Sequence, residues 1–355
     1  MKKKENIKNK KQSKEIEISI PFKYDITNYG ADLDVKGLVN RIEIGDIFVP
    51  PFQRKYIWNK KDASQFVESL LFGLPVPGIF LSKEKKTNKL LVIDGQQRLM
   101  SLYYFYKGYW VNEKNEFELG DVQKDFLGKT YQTLKPDERR NLDNYLIHAT
   151  IIEQTSPAKD SSSIYYIFER LNTRGKRLSD QEIRASIFHG NLVDLLEDLN
   201  KNDEWRKMYG KTNQRMRDRE MILRFFSLYF NYKKYEKPMK GHINKYTGDN
   251  RDLSEQSKSE LLKLFTNTIE VVYKNIGRKS FGDKGFKAAN FDAIMTGVAF
   301  RISGKKKQPN KENMQRAYKK LIKNKKFQKF TSEHTSDKDK VLNRIRLATD
   351  AFKNT

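Results

Sequence analysis

The sequence predicts an α+β protein in which a mixed α/β N-terminal domain, residues 21–190, precedes an all-helical C-terminal domain, residues 191–355. Short β-forming apolar runs alternate with helical patterns in the first half, whereas almost every apolar pattern after residue 191 has helical spacing. A chain of 355 residues also exceeds the size at which a single core usually stops growing, so two domains are expected. Residues 1–20 are a lysine-rich leader to which no fold is assigned.

The first predicted elements come directly after this leader. Residues 35–49 indicate a short helix and a strand, and Pro50 and Pro51 interrupt regular structure after them. Asn59 is a predicted N-cap, and the helix that follows it is expected to end at Gly73.

A hairpin and a further helix follow. Residues 78–84 predict one strand, and Thr87 and Asn88 predict a turn into a second strand, Leu90–Ile93, whose unbroken apolar run is typical of a buried position. The next helix is predicted over Leu99–Tyr106. The later predictions are a weak strand at 117–120, a helix at 136–146, a strand at 148–154, a helix from Ile164 that ends by Gly175, and a helix that Ser179 and Glu182 open with a capping box.

Charge and composition limit the classes of function. The net charge of +25 and the pI of about 9.7 favour polyanionic partners, DNA or nucleotides, although a lysine-rich genome alone could produce the same balance. The absence of cysteine excludes disulfides and thiol nucleophiles. The sequence has no apolar run long enough to span a membrane and no signal-peptide pattern, so we expect a cytoplasmic protein.

The first candidate site is the stretch Asp94-Gly95-Gln96-Gln97-Arg98, which joins a buried strand to an apolar helix. A strand that ends in Asp-Gly presents a carboxylate and a backbone position open to close approach, and a helix start favours an anion. The two glutamines add amide groups, and Arg98 adds a planar set of donors that suits phosphate oxygens. The residues alone predict either a phosphate site or a capped structural turn.

Two more polar segments lie at a predicted loop and at a predicted turn, and both are candidate binding segments. Gln53 and Arg54 lie between two aromatic residues after the double proline, where a polar loop with aromatic anchors is the alternative to a binding segment. The turn at residues 172–177 is basic, contains Gly175 and precedes a helix start, so either anion binding or a capped loop could explain it. His189, before Gly190, is predicted to satisfy the last carbonyls of a helix rather than to bind a ligand.

In this order and at this spacing, "FQRKYIW", "VIDGQQRLMSL" and "FERLNTRGKRLSDQEIR" resemble the ParB/sulfiredoxin-like domain that carries the DGQQR signature and occurs in restriction and anti-phage systems of the GmrSD kind. The resemblance implies a ParB-like nucleotide-binding fold over residues 21–190, with an NTP and Mg²⁺ as ligands. It implies that the phosphate site is lined by Asp94, Gly95, Gln96, Gln97, Arg98, Gln53 and Arg54, with Asn172 as a metal or phosphate contact. The basic turn itself adds Thr173, Arg174 and Gly175 as candidate nucleotide contacts.

The same resemblance suggests a mechanism. Asp94 would hold the metal or cap the turn, and Asn172 would contact the metal or a phosphate. Arg98 would stabilise charge on phosphate oxygens, and Gln96 or Gln97 would orient the attacking water. The expected function is an NTP-hydrolysing component of a bacterial defence system that acts on or senses DNA. The alternatives are a non-enzymatic DNA- or partner-binding protein that uses NTP only as a conformational ligand, and a ParB-like nuclease.

Relatives often carry an HNH nuclease domain, but the four histidines of this chain form no such pattern, so that activity is not expected. The helical domain, residues 191–355, is the expected site for DNA or for a partner protein from the same operon, and no DNA-binding residue is assigned. A homo-oligomer is a further open alternative.

Overall fold

The structure, a computed structural model, describes residues 25–49, 56–85, 87–110, 115–156, 162–171, 178–282, 285–304 and 309–355. The lysine-rich leader and the double proline at 50–51 lie outside these ranges. Within them the N-terminal part contains seven strands. They are β1 (Asp25–Asp34), β2 (Ile47–Phe48), β3 (Ile79–Lys83), β4 (Leu90–Asp94), β5 (Tyr109–Trp110), β6 (Asn115–Glu116) and β7 (Leu146–Ser156).

Five of the strands form one mixed sheet in the order β1-β7-β3-β4-β2, and β5 pairs with β6 in a separate two-stranded ribbon. β3 is antiparallel to β4 and parallel to β7, whereas β2 is parallel to β4 and β1 is antiparallel to β7. β4 therefore lies inside the sheet, with a neighbour on each side, and its last residue is fixed in register by the pairing of Asp94 with Phe80.

Helices cover both faces of this sheet. Leu90 and Val92 of β4 pack into one hydrophobic cluster, and Ile93 packs into another on the opposite face, because successive strand residues point to opposite sides. The helices of the first face are α1 (Val35–Glu43), α2 (Lys60–Leu71), α3 (Gln96–Lys107) and α4 (Pro136–Asn144), and those of the second are α5 (Ser162–Leu171) and α6 (Asp180–Ile187).

Local sequence sets the helix starts in this part of the chain. The Asp34 carboxylate accepts from the backbone N–H of Gly37 at 2.6 Å, and the Asn59 side chain accepts from Asp62 N–H at 2.8 Å. The predicted capping box is confirmed, because Ser179 Oγ accepts from the N–H of Glu182 at 3.2 Å and the Glu182 carboxylate accepts from that of Ser179 at 2.6 Å.

The predicted helical C-terminal half is confirmed within the described residues. Its helices are α7 (Asn191–Leu199), α8 (Asp203–Tyr209), α9 (Arg217–Asn231), α10 (Met239–Asp249), α11 (Lys258–Asn275), α12 (Ala288–Gly304), α13 (Lys311–Lys323), α14 (Lys325–Ser332) and α15 (Lys338–Phe352), with a 3-10 turn at Tyr232–Lys234. α12 is buried around most of its circumference, so it is the central helix of this half.

A buried ionic cluster joins three of these helices. Asp292 of α12 is fully buried and receives hydrogen bonds from Arg224 of α9, at 2.6 and 2.7 Å, and from Arg344 of α15, at 2.6 Å. Burial by itself would raise the pKa of Asp292, but the two guanidinium groups outweigh it and hold that pKa below its usual range. Asp292 is therefore a charged centre of the helical core.

Three details differ from the sequence predictions. The sequence does not predict β1, because it is an edge strand whose residues are mostly exposed and show no apolar alternation. The predicted strand at 117–120 is wrong: the short strand β6 precedes it, and Phe117 and Leu119 are buried in irregular structure. α3 begins at Gln96, three residues earlier than predicted.

The N-terminal sheet and the helical half are connected by polar contacts. Arg251, just after α10, donates to the Glu84 carboxylate at 2.5 Å and to the backbone oxygen of His189 at 2.6 Å. In the part of the chain that the structure describes, no helix combines the length and the apolar character that crossing a bilayer requires.

Candidate functional site

The candidate site is the junction between β4 and α3. Gly95 joins the two elements with φ of +99°, a left-handed conformation that glycine adopts most readily. A Cβ atom at this position would lie 2.5 Å from Cγ2 of Ile79, so the neighbouring strand also excludes a side chain here. Only glycine fits this turn without displacing β3.

Gln96, Gln97 and Arg98 form the first turn of α3 rather than a loop. This is a difference from the predicted helix start, and it places the whole polar motif on a regular helix end. The first N–H groups of a helix have no carbonyl one turn earlier to bond, and they carry the positive end of the helix dipole. The junction therefore favours an anion beside Gly95.

Arg98 fastens this junction to the loop before β3. Its Nη1 donates to the backbone oxygens of Pro77, at 2.7 Å, and Gly78, at 2.9 Å, and its Nη2 donates to Oδ2 of Asp94 at 2.9 Å. The Arg98 side chain is 13% exposed. Among the described residues these bonds use three of the five N–H donors of the guanidinium, so the side chain holds the turn rigid and has two further N–H groups.

Gln97 connects the segment that follows Arg54 to the Asp94–Arg98 turn. Its Oε1 accepts from the backbone N–H of Ile57 at 2.9 Å and from that of Trp58 at 3.0 Å. The segment that follows Gln53 and Arg54 is thus tied to the first turn of α3. Gln53 and Arg54 themselves lie outside the described residues, so their side chains are not placed.

Tyr56 strengthens the same connection. Its hydroxyl lies 2.7 Å from Oγ of Ser101 on α3, and its ring packs edge-on against Tyr104 and Trp110. Burial raises the pKa of Tyr56 to about 12, so the side chain stays neutral at physiological pH and acts as an anchor. The aromatic anchoring that the sequence indicates beside this motif is confirmed at Tyr56.

The third motif is only partly described. Asn172, Thr173, Arg174 and Gly175 lie outside the described residues, but the helices on either side of them are in place. Lys240 of α10 lies 2.8 Å from the Glu169 carboxylate of α5 and 3.5 Å from that of Asp180 in α6, and 4.5 Å above the ring of Tyr165. One lysine of the helical half therefore binds both helices that flank this segment.

Asp94 is the candidate metal ligand among the described residues of the turn. Its side chain is 40% exposed, and Oδ2 is bonded to Arg98. Within the described ranges no group of three or more metal-ligating side chains lies together. A single carboxylate can hold Mg²⁺ only if phosphate oxygens and water supply most of the other ligands. Mg²⁺ is usually coordinated in this way in nucleotide sites.

The partners of Gln97 and Arg98 are not predicted by the sequence. The prolines of "PVPG" before β3 predict a helix stop, whereas the structure uses the carbonyls of Pro77 and Gly78 as acceptors for Arg98. A further set of basic residues lies at the β3–β4 hairpin and is also missing from the predicted site. The signal that could have revealed it is the lysine density of "KEKKTNK".

Comparison with known proteins gives the family of this region. Residues 35–189 match the model of the family described as the GmrSD restriction endonuclease, N-terminal domain. An uncharacterised protein of Methanocaldococcus jannaschii is 29% identical over an aligned segment that covers 19% of this chain and 16% of that protein. This chain thus matches less than a fifth of the length of that relative. Over residues 35–189 the chain is therefore related to the N-terminal domain of the GmrSD restriction endonuclease.

Proposed function

We propose that this chain binds a nucleoside triphosphate at the β4–α3 junction and hydrolyses it as a component of a restriction-type defence system that acts on DNA. The observation that carries the proposal is the helix start at Gly95: this buried glycine has a left-handed backbone and no side chain, and Gln97 and Arg98 hold the first turn of α3 in place beside it. The family of residues 35–189 supports the restriction context.

The phosphates are proposed to lie against the first turn of α3. The backbone N–H groups beside Gly95 and the two remaining guanidinium N–H groups of Arg98 would donate to phosphate oxygens. Because Arg98 is already fixed by three bonds, little side-chain entropy would be lost when it binds an anion. Gln53, Arg54 and Asn172–Gly175 are proposed to complete the site from its two sides.

Hydrolysis requires water to attack the γ-phosphorus while the β–γ bridging P–O bond breaks, which releases a nucleoside diphosphate and inorganic phosphate. Either Gln96 or Gln97 is proposed to orient the attacking water, and Gln97 Oε1 also accepts two backbone hydrogen bonds within the protein. Asp94 would hold Mg²⁺ through its exposed carboxylate, and the bound ion would neutralise charge on the phosphate oxygens.

The same contacts also favour a second candidate function. Gln97 and Arg98 both make structural bonds within the protein, and a site held in this way could bind NTP as a conformational ligand without hydrolysing it. In that case the nucleotide would control how the chain engages DNA or a partner protein. Hydrolysis assays separate the two functions.

The experiment measures the binding and the hydrolysis of the four common NTPs with Mg²⁺ by wild type, Gln96→Ala and Arg98→Lys. We expect Gln96→Ala to retain binding and to lose at least about tenfold in turnover, and Arg98→Lys to weaken binding. Gln65→Ala changes an exposed helical glutamine of α2 and serves as the matched control. Absence of NTP binding at about 1 mM would exclude both functions.

DNA binding is tested separately, by the salt dependence of affinity for duplex DNA. If the net charge of +25 contributes to DNA binding, the affinity for duplex DNA should fall by orders of magnitude between about 50 and 200 mM salt. The measurement is made with and without NTP, because a nucleotide-dependent change in affinity is what the proposed function requires.

A further inference from the structure

A cavity lies on the face of the sheet that α5 and α6 cover, near the start of β4, whereas the β4–α3 junction is at the end of that strand. It has a volume of about 270 Å³. Leu91 of its wall lies three residues before Asp94, roughly 10 Å along the strand. The cavity is lined by Phe48, Ser82, Lys83, Leu91, Gln154 and Ile187, together with the β3–β4 hairpin residues Lys85 and Lys89, and with His189 and Arg251.

The interior and the rim of this cavity differ in character. Ile187, Ser82 and Gln154 are buried and line its interior, so its wall combines apolar surface with polar side chains. The rings of Phe48 and His189 stack with their centroids 5.3 Å apart and their planes at 21°. Burial lowers the pKa of His189, so its ring is uncharged at neutral pH. A planar, partly polar group suits this interior.

The rim is cationic. Arg251 is paired with Glu84 at 2.5 Å, and Lys83 is paired with Glu153 at 3.5 Å. Lys85 and Lys89 are exposed on the rim and have no carboxylate within ion-pair distance among the described residues. The rim therefore has two positive charges left over, which favours an anion at the mouth of the cavity.

We propose that this cavity binds a mononucleotide, with the base inside near Phe48 and His189 and the phosphate at the rim between Lys85 and Lys89. The volume is close to the lower end of ligand pockets, which suits one nucleoside inside the cavity with its phosphate at the rim. The site is separate from the β4–α3 junction. Its walls come from both halves of the chain, because Phe48 and Leu91 belong to the sheet and Arg251 follows α10.

A bound mononucleotide would contact the same residues that join the two halves. Arg251 bonds both Glu84 of the hairpin and the backbone oxygen of His189. A ligand phosphate near Lys85 would add an anion to this connection and strengthen it. The site thus offers a means for a small nucleotide to stabilise one arrangement of the sheet and the helical half.

The experiment titrates the full chain with AMP, GMP, CMP and UMP in magnesium-free buffer, with adenosine and inorganic phosphate as partial ligands. Calorimetry gives the affinities, and ¹⁵N-glycine labelling gives the location, because Gly190 is adjacent to His189 whereas Gly95 reports the junction. We expect at least one mononucleotide to bind, to shift Gly190 and to leave Gly95 unchanged. Adenosine and phosphate alone are each expected to bind at least about tenfold more weakly than AMP.

The variant Lys85→Glu/Lys89→Glu is expected to weaken mononucleotide binding at least about tenfold and to leave NTP binding at the junction unchanged. Both lysines are exposed, so the fold is retained, and Lys124→Glu is a matched control in the same domain. Phe48→Ala tests the stacking surface. The proposal is overturned if no mononucleotide binds at about 1 mM, if phosphate binds as tightly as AMP, or if the double variant binds like wild type.

Discussion

The side-chain oxygen of Gln97 accepts a hydrogen bond from the backbone N–H of Trp58 at 3.0 Å. This contact joins two motifs that are about forty residues apart in sequence, since the same oxygen also bonds the N–H of Ile57. A glutamine that the sequence suggests as a catalytic residue therefore has an identified positioning role. It holds the chain that follows Gln53 and Arg54 against the start of α3.

Gln97→Ala should release this segment. Two backbone N–H groups lose their acceptor, so we expect the free energy of unfolding to fall by about 1–2 kcal/mol. Amide hydrogen exchange at Ile57 and Trp58 should accelerate, and this is the specific readout. Gln97→Glu retains an acceptor oxygen and is the matched variant. Unchanged exchange at both amides in the alanine variant would contradict the positioning role.

Gly95→Ala should lower the free energy of unfolding more than an alanine substitution at a glycine that has no neighbouring atoms. The left-handed backbone and the 2.5 Å approach to Ile79 together should cost about 2–5 kcal/mol in unfolding free energy. Gly45 has φ of +76° and no atom within 4 Å of the point that a Cβ would occupy, so Gly45→Ala carries the backbone strain alone, about 1–2 kcal/mol. Urea unfolding of both variants tests this difference, and equal losses would exclude the close approach as a constraint.

Asp292→Asn should strongly destabilise the helical half. Arg224 and Arg344 would lose the charge that compensates them, which typically costs about 3–5 kcal/mol when the site is buried. Asp350→Asn, at an exposed position of α15, should change stability by less than about 0.5 kcal/mol. Thermal unfolding at neutral pH gives the comparison.

The same aspartate gives a pH dependence with a definite sign. The pKa of Asp292 is lower in the folded state than in the unfolded state, so its contribution is present above the unfolded value, about 3.9, and is lost as the pH falls through the folded value. The difference in stability between wild type and Asp292→Asn should therefore narrow only below about pH 4. A difference that narrows between neutral pH and pH 5 would contradict this account.

Lys240→Met should loosen both helices that flank residues 172–177. It removes the contacts with Glu169 and Asp180 but retains most of the side-chain length, so we expect a stability loss of about 1 kcal/mol. If the flanked segment contributes to the nucleotide site, NTP affinity should also fall. Lys245→Met on the exposed side of the same helix is the control. Equal NTP affinity in wild type and Lys240→Met would show that the contacts of Lys240 on α10 do not support the nucleotide site.

Much of the N-terminal domain could be predicted because its central elements carry strong local signals. The apolar run of β4, the N-cap Asn59 and the capping box at Ser179 each determine structure through residues close in sequence. β1 could not be found in the same way. Its residues are mostly exposed, and it is stabilised by pairing with β7, more than a hundred residues later.

The residues of the candidate site could be predicted from the sequence, but their hydrogen-bond partners could not. The sequence identifies Gly95 and the polar residues after it, because such residues are unusual between a buried strand and an apolar helix. It carries no indication that Arg98 bonds the carbonyls of Pro77 and Gly78, since backbone acceptors have no sequence signature. The cavity beside Phe48 could not be predicted from the sequence either, because it forms only when four strands pack against α5 and α6.

Binding of nucleotide phosphates at the β4–α3 junction is measured by an NMR titration of ¹⁵N-glycine-labelled protein with Mg²⁺ and each NTP. We expect a saturable shift of the Gly95 amide, while Gly45, in the turn after α1, stays unchanged. Arg98→Lys should weaken this response. Saturable NTP binding that leaves the Gly95 signal in place, or no binding at about 1 mM, would contradict binding at this junction.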